Sequence, residues 1–348
     1  MPPGKRCARE SPLKRTSPRI GFARGRFRGG KNTTPERAGP FLRGMNWLLL
    51  LLLPLLLLLA YGIYHRGILG EGPAFRQYWS STMRIDVERL RVRKIPYGED
   101  DQQYLLFCEP TGNTTQRPVI FHIHGGGWRY GRPDYFLPQA QLLGDAGFAT
   151  IMVCHRKAPR HKATAQRDDV VRAYRAALTL LDQSERYRNA PLIAFGISSG
   201  GNHAALLTYD RARAARLGYD VDRIRALATF GAPLDLRGMK WSTILRSYAG
   251  SRRSAMYREA NPVNFLHADT PRLPFLAIHG RRDAVVQYAA GERFWTKLEA
   301  IHPGSTTVVP VRDGRHLTAV AWTYQDGELR ERMLAWLDAV ARSLEVTV

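Results

Sequence analysis

The chain has 348 residues, of which 44% are hydrophobic and 24% charged, so it can bury the core of one large or two small domains. This composition excludes collagen, a coiled coil and a fully disordered chain. The formal net charge is +22, and residues 1–44 hold 12 Lys and Arg against two Asp and Glu. The charge distribution predicts a basic arm followed by a moderately basic globule.

Proline, glycine and arginine dominate residues 1–44, and no apolar residue recurs there at helical or strand spacing. Such a segment cannot bury enough surface to offset its ordering entropy, so we predict that it is disordered. Two alternatives stay open: an arm that binds nucleic acid or anionic lipid, and a translation start at Met45. A nucleic-acid partner is not expected, because the arm contains no basic recognition motif.

The next segment, residues 45–64, contains no charge and eleven leucines. At ~1.5 Å per residue a helix of this length spans ~30 Å, the thickness of the hydrocarbon core of a bilayer. Trp47, Tyr61 and Tyr64 lie at its ends, as interfacial aromatics do. We therefore expect a transmembrane helix, with a cleaved signal peptide as the alternative. The basic residues before it predict a cytoplasmic N-terminus, and a linker over 65–83 would lead to an extracytoplasmic globular domain.

Residues 84–348 alternate short apolar runs with helical patterns, which predicts an α/β domain with a mostly parallel sheet covered by helices on both faces. Residues 232–269 are polar and weakly patterned, and we interpret them as a small lid insertion above the sheet. The predicted strands are Arg84–Val92, Gln103–Cys108, Pro118–His124, Phe148–Cys154, Pro191–Ile197, Ile224–Phe230, Leu273–Ile278 and Thr306–Val311. The predicted helices are Gln166–Leu181, Ser199–Leu207 and Leu329–Leu344.

The strongest chemical signal is the sequence Gly196-Ile197-Ser198-Ser199-Gly200, which follows an apolar strand and opens a helix. That context is typical of the G-x-S-x-G nucleophile elbow, a sharp turn that exposes its serine hydroxyl above the sheet. Ser198 is the predicted nucleophile, because Ser199 would require a glycine where Ile197 stands. The alternative interpretation is an ordinary glycine-rich turn between a strand and a helix.

A second glycine-rich sequence, HGGGW at 124–128, follows the predicted strand before it. Acyl transfer passes through a tetrahedral oxyanion, which backbone N–H groups stabilise when the chain turns them toward empty space. Glycine permits that conformation. Gly125 and Gly126 are the predicted oxyanion-hole donors, and the N–H of Ser199 is the third.

A serine nucleophile needs a base, and the base needs a carboxylate that orients it. His316 follows the last predicted strand, and the chain order Ser, Asp, His fits such an elbow. Asp283 follows the strand before it and is the predicted acid, with Asp235 as the alternative, whereas Asp313 lies too close to His316 in sequence. The histidines nearer the oxyanion segment and the elbow are interpreted as structural: His122, His124 and His203.

Four sequence blocks together resemble the α/β-hydrolase superfamily, over roughly residues 85–345. More closely, they resemble its esterase/lipase branch with an HGGG-type oxyanion hole, related to hormone-sensitive lipase. The sequence ANPV at 260–263 is similar to a segment of bacterial members akin to feruloyl esterases and kynurenine formamidases. The resemblance implies an α/β-hydrolase fold with a Ser-Asp-His triad. The four blocks are HGGGW (124–128), HRKAP (155–159), GISSGG (196–201) and HGRRDAVV (279–286).

Three positions depart from the pattern of that family. His155 stands where a tyrosine is usual, and Arg315 precedes the base where a small residue is usual. Arg281 and Arg282 precede the acid, and these cations lie either at the mouth of a pocket or on solvated surface.

The sequence therefore predicts a serine hydrolase that cleaves a carboxylic ester through an acyl-enzyme intermediate. Its expected partner is a small-molecule ester, in addition to the membrane around the N-terminal helix. No organic cofactor or metal is expected. An amidase or formamidase using the same triad and a catalytically inactive binding protein are the alternatives. The short lid favours short or medium acyl chains.

Overall fold

One eight-stranded sheet organises the computed structural model, which describes residues 52–60, 68–112, 117–240 and 242–345. The strand order is β1-β2-β4-β3-β5-β6-β7-β8. Strand β2 runs antiparallel to both of its neighbours, and all other neighbouring strands are parallel. The mostly parallel sheet expected from the sequence is present. Its strands are β1 (Leu90–Pro96), β2 (Tyr104–Pro110), β3 (Val119–Ile123), β4 (Thr150–Val153), β5 (Leu192–Ile197), β6 (Ile224–Phe230), β7 (Phe275–Gly280) and β8 (Thr306–Val311).

Helices cover both faces of this sheet, because its central strands are buried on both sides. Every residue of β3, β4, β5 and β7 is buried, which requires apolar cover above and below. One core cluster joins the sheet to α3, α4 and α8, and a second joins it to α1, α2 and α9. Besides the helical residues 52–60, the α-helices that the structure describes are α1 (Gly72–Thr82), α2 (Leu137–Asp145), α3 (Ala163–Asp182), α4 (Ser199–Tyr209), α5 (Arg211–Arg216), α6 (Thr243–Ala249), α7 (Ala255–Glu259), α8 (Ala289–Ile301) and α9 (Glu328–Glu345).

The first strand lies later in the chain than the sequence predicted. A strand was expected over Arg84–Val92, whereas β1 spans Leu90–Pro96. The hairpin to β2 sets this register, because the N–H of Tyr97 donates to the carbonyl of Gln103 at 2.9 Å. Strand β1 is an edge strand with four exposed residues in a row. Its sequence therefore shows no clear alternation of apolar and polar residues from which its first and last residues could be predicted.

The region between β6 and β7 contains α6 and α7 and the 3-10 helices Leu236–Gly238 and Pro262–Phe265. It packs as a small apolar cluster that includes Leu236, Tyr248 and Tyr257. Both short α-helices begin with a serine cap, in which the side-chain oxygen accepts a backbone N–H from the first turn.

The expected transmembrane helix over residues 45–64 is wrong. Of that stretch the structure describes residues 52–60, as helix, and the others lie outside the described residues. Within the described ranges, no helix has both the length and the apolar character to cross a membrane. The expectations of a single-pass topology, an extracytoplasmic domain and a membrane partner are corrected with it.

Residues 1–44, predicted as a disordered basic arm, lie outside the described residues. The segment 65–83, predicted as a linker, contains a 3-10 turn at Ile68–Glu71 that leads directly into α1. Helix α1 buries Tyr78 completely against the second core cluster, and the Tyr78 hydroxyl accepts a hydrogen bond from Gln139 of α2 at 2.9 Å. This helix therefore packs as part of the domain.

Candidate active site

Ser198 lies at a strained turn between β5 and α4. Its φ is 51° and its ψ is −123°, a conformation that a residue with a side chain rarely adopts. The flanking glycines are required by close contact, because a Cβ at Gly196 would lie 2.4 Å from the carbonyl oxygen of Gly200. A Cβ at Gly200 would lie 2.0 Å from the carbonyl oxygen of Ile123. The sequence forms this turn because only glycine fits at both positions.

Two hydrogen bonds connect Ser198 with His316 and Asp283. The distance from Ser198 Oγ to His316 Nε2 is 3.0 Å, and that from His316 Nδ1 to Asp283 Oδ2 is 2.7 Å. In the neutral imidazole, Nδ1–H donates to the carboxylate and Nε2 accepts from the serine hydroxyl. All three side chains are buried. Ser198 stands at the turn after β5, Asp283 on the loop after β7, and His316 at the start of a 3-10 helix, His316–Thr323, that follows β8.

The environment holds Asp283 ionised. Burial raises its pKa, but His316 and His279 more than offset that effect, and the pKa falls to about 2. Its second oxygen accepts the backbone N–H groups of Val285 at 2.9 Å and Val286 at 2.7 Å. The carboxylate is therefore fixed in orientation and charged.

The same contacts act on His316 in the opposite direction. Burial lowers the pKa of the imidazole, but the negative charges of Asp283 and Glu71 raise it above its ordinary value. An imidazole that is stabilised in its protonated form is chemically able to accept a proton from the Ser198 hydroxyl beside it.

Asp235, the alternative acid, is engaged elsewhere. Its carboxylate accepts hydrogen bonds from Arg237 at 2.9 Å and from Asn261 at 3.1 Å, at the base of the insertion between β6 and β7. Asn261 also accepts the backbone N–H of Leu236 at 2.8 Å. These contacts make Asp235 an anchor for the insertion.

The predicted oxyanion segment turns away from β3 directly beside Ser198. A Cβ at Gly125 would lie 3.3 Å from the Cβ of Ser198, so the two backbones are in close contact. Gly126 has a φ of 136°, and its carbonyl accepts the N–H of Tyr130 at 2.9 Å, which closes the turn. Within the described ranges, no protein group accepts the N–H of Gly125 or Gly126. Ser199 opens α4, so its N–H has no acceptor within the helix.

The other histidines near this edge of the sheet pack in the interior. His122 bonds to Gln139 at 2.8 Å, and His124 stacks on His155 with ring centroids 5.3 Å apart. His203 lies edge-on to His155 at 4.8 Å. Burial is the main cause that lowers the pKa of each of these four rings. They are uncharged packing residues. His155, at the position where the family usually has a tyrosine, packs by stacking on His124.

The arginines that depart from the family pattern lie at or near the surface. Arg281 and Arg282 are exposed, and Arg282 pairs with Asp313 at 2.9 Å. Arg315 is half-buried beside the base. Among the described residues, no group of three or more His, Cys, Asp or Glu side chains is arranged to hold a metal ion.

Two residues at this site were missed by the sequence analysis. Glu71 accepts the backbone N–H of His316 at 3.0 Å, and the ring of Phe75 stacks on the imidazole of His316 with a centroid distance of 6.3 Å. Both come from the segment predicted as a linker. The spacing of Phe75, Tyr78, Trp79 and Thr82 follows one face of a helix and could have indicated α1. No local pattern marks Glu71.

The comparisons with known proteins point in one direction. Residues 106–298 match the model of the BD-FAE family. Esterase LipC of Mycobacterium tuberculosis is 26% identical over 225 residues, which cover 60% of this chain and 55% of LipC. Versiconal hemiacetal acetate esterase of Aspergillus parasiticus is 35% identical over 107 residues, 30% of this chain and 32% of that enzyme. The chain thus matches about half the length, or less, of these curated relatives.

Solved structures resemble the fold over a greater length. Esterase B from Lactobacillus rhamnosis superposes with a TM-score of 0.64 at 20% identity, over 80% of this chain and 96% of the esterase. A truncated carbohydrate esterase from gut microbiota gives a TM-score of 0.61 at 19% identity, over 74% and 98% of the two chains. The fold is therefore that of the α/β hydrolases. Because the matched family model spans more than half of the sequence, the chain belongs to the BD-FAE family.

Proposed function

We propose that the protein is a carboxylic ester hydrolase that works through a serine acyl-enzyme. The observation that carries this proposal is the pair of hydrogen bonds, 3.0 Å and 2.7 Å, that links Ser198, His316 and Asp283 in the order a nucleophile, a base and an orienting acid require. Relatives named as esterases support the same chemistry.

In the proposed reaction, the hydroxyl oxygen of Ser198 forms a bond to the ester carbonyl carbon while His316 Nε2 takes the serine proton. Asp283 holds the imidazole in the tautomer that can accept and stabilises the imidazolium. The N–H groups of Gly125, Gly126 and Ser199 stabilise the tetrahedral oxyanion. His316 then gives its proton to the leaving alkoxide. A water molecule then attacks the carbonyl carbon of the acyl-enzyme while His316 takes its proton. The bond to Ser198 breaks, His316 returns the proton to the serine oxygen, and the carboxylic acid leaves.

We also propose that the preferred acyl groups are short or medium. The region between β6 and β7 is compact, and its two α-helices have seven and five residues. Ile244 of this insertion lies beside the oxyanion turn, since a Cβ at Gly127 would come within 3.2 Å of its side chain. A small insertion so close to the reacting carbonyl leaves little apolar surface for a long chain.

The test is turnover of p-nitrophenyl esters from C2 to C16 by the full chain, together with labelling by a fluorophosphonate probe. We expect hydrolysis that is greatest for the shorter esters, and Ser198→Ala should abolish both turnover and labelling. Ser199→Ala is the matched control and should keep the labelling, because its side chain is not the nucleophile. Labelling that survives Ser198→Ala but not Ser199→Ala would contradict the assignment. Faster cleavage of the matched anilides would instead indicate an amidase.

A further inference from the structure

A buried carboxylate connects the loop of the acid with the loop of the base. Glu71, the residue before α1, is only 2% exposed. Its Oε1 accepts the backbone N–H of Ala284 at 2.8 Å, and its Oε2 accepts the backbone N–H of His316 at 3.0 Å. Ala284 directly follows Asp283. One side chain, more than 200 residues away in sequence, thus bonds to the backbone on both sides of the His316–Asp283 pair.

We propose that Glu71 is a positioning residue for the triad: it holds the loop after β7 and the loop after β8 at the separation that joins Asp283 to His316. The proposal rests on the esterase mechanism described above. Glu71 contacts neither Ser198 nor, through its side chain, the reacting imidazole nitrogens, so it acts through the two loops.

The chemistry of the contact requires a carboxylate. Two N–H donors converge on the two oxygens of Glu71, and a carboxylate is a pure acceptor at both. A glutamine of the same shape has one acceptor oxygen, and its NH₂ group would face the other N–H donor. Leaving a buried donor unpaired is unfavourable, so the amide would move one of the two loops.

Helix α1 does not depend on Glu71 alone for its attachment. The buried side chain of Tyr78 accepts from Gln139 at 2.9 Å and meets Tyr324 edge-on, with centroids 5.9 Å apart. Glu71 makes no side-chain cap to its own helix. Its two acceptor oxygens are directed at the catalytic loops, so its contacts serve those loops as well as the helix.

Glu71 also adds a second negative charge near the base. The groups facing His316 are the Asp283 carboxylate, the Ser198 hydroxyl, Glu71 and the Phe75 ring, and His279 lies beyond Asp283 at 3.4 Å. Burial lowers the pKa of His316, and the two carboxylates act against burial and raise it. Loss of the Glu71 charge should therefore lower the pKa of the base, while Asp283 remains in contact with it.

The deciding variant is Glu71→Gln in the full chain, with active sites counted by fluorophosphonate titration. We expect kcat to fall by about tenfold to a hundredfold, as a small misplacement of catalytic groups causes, with little change in KM. In the pH profile of kcat/KM, the limb on the acidic side should move to lower pH, because the pKa of His316 falls. In ¹³Cε1-histidine NMR spectra, the titration midpoint of His316 should move in the same direction. Glu71→Asp keeps the charge but is one methylene shorter, so kcat should fall while the limb stays near its wild-type position.

Two controls separate positioning from a merely structural role. Tyr78→Phe weakens the attachment of α1 without touching the triad loops, and Glu185→Gln removes an exposed carboxylate elsewhere. Neither should move the acidic limb. The proposal is overturned if Glu71→Gln keeps the wild-type kcat and limb, or if Tyr78→Phe moves the limb equally. Failure of both Glu71 variants to fold would overturn it too, since Glu71 would then serve folding as a whole. A shifted His316 titration in a protein that hydrolyses no ester would keep the positioning role and reject the proposed substrate.

Discussion

Asp283 is held by more partners than a carboxylate needs for charge compensation alone. One oxygen accepts two backbone N–H groups, and the other faces the rings of His316 at 2.7 Å and His279 at 3.4 Å. These contacts keep the buried carboxylate anionic and fix the orientation of the oxygen that accepts from His316. The imidazole of His316 is thereby held with Nε2 toward Ser198, which is the orientation the proposed reaction uses.

The substitution Asp283→Asn should lower kcat by about 10³–10⁴-fold, because an amide can hold the imidazole in the wrong tautomer. Asp235→Asn should leave kcat within a few-fold of wild type, because its partners Arg237 and Asn261 belong to the insertion. Asp235→Asn should instead lower the melting temperature. Steady-state kinetics with one short p-nitrophenyl ester and thermal melts decide this. A large loss of kcat in Asp235→Asn with normal turnover in Asp283→Asn would transfer the acid to the loop after β6.

How far the site follows from sequence differs between its residues. Ser198 and the two glycines proposed as oxyanion donors lie in short contiguous motifs, each fixed by local sterics, so their positions could be predicted. His316 and Asp283 required the further argument that parallel strands bring their carboxyl ends to one edge of the sheet. Glu71 could not be predicted in this way, because its role comes from two backbone N–H groups that converge only in the folded chain.

At the scale of elements, the turn after β3 depends on backbone conformations that only glycine adopts without strain. Gly126 has a φ of 136°, and a Cβ there would lie 2.2 Å from the carbonyl oxygen of Tyr130. That oxygen is part of the backbone and cannot rotate away, so a side chain at this position must displace the turn. The N–H groups proposed as oxyanion donors would move with it.

We therefore expect Gly126→Ala to lower kcat by about 10²–10³-fold, the usual effect of losing an oxyanion donor, with a smaller change in KM. Gly218→Ala is a matched control, because Gly218 also has a positive φ, 80°, but nothing lies within 4 Å of a Cβ there. Gly218→Ala should lower the free energy of unfolding through backbone strain and leave kcat unchanged. Equal kinetic effects of the two substitutions would show that strain alone is responsible, and would remove the support for the oxyanion assignment.

The elements differ in how well their sequences define them. The buried parallel strands β5 and β6 lie within one residue of their predicted bounds, because continuous apolar runs end where polar turns begin. Six helices were not predicted: α1, α2, α5, α6, α7 and α8. Helix α2 has nine residues with an internal proline and glycine, which gives a weak periodic signal, whereas α8 spaces Phe294, Leu298 and Ile301 helically and could have been identified.

At the scale of the whole chain, hydropathy was a poor guide to the segment before α1. The leucines of 45–64 satisfy the length and composition of a bilayer helix. Among the residues that the structure describes, which include 52–60 of this segment, no helix is long and apolar enough to cross a membrane. The hydrolase fold, in contrast, follows from many independent local patterns that agree with one another.

Buried neutral histidines make the stability of the folded domain depend on pH. Burial lowers the pKa of His122 from 6.5 to about 4 and that of His203 to about 3, and it lowers those of His124 and His155 well below 6.5. In the unfolded chain these rings titrate near their ordinary pKa. Below that pH the unfolded state therefore binds more protons than the folded state, and acid destabilises the fold. His316, whose pKa is raised, acts in the opposite direction: it stabilises the fold as the pH falls toward the ordinary pKa of histidine, and it adds no further slope once it is protonated in both states.

The contribution of a single ring can be measured. From pH 7 to pH 5, the titration of His122 alone should lower the free energy of unfolding by roughly 2 kcal/mol. His122→Gln removes the titrating group and keeps an N–H donor for Gln139, whose oxygen lies 2.8 Å from His122 Nε2. Urea unfolding should then give a difference between pH 7 and pH 5 that is smaller by that amount, whatever the absolute stability of the variant. His267→Gln, at an exposed histidine, should leave the difference as in wild type. An unchanged difference in His122→Gln would mean that His122 is protonated or solvated in the folded protein, and that the acid sensitivity arises elsewhere.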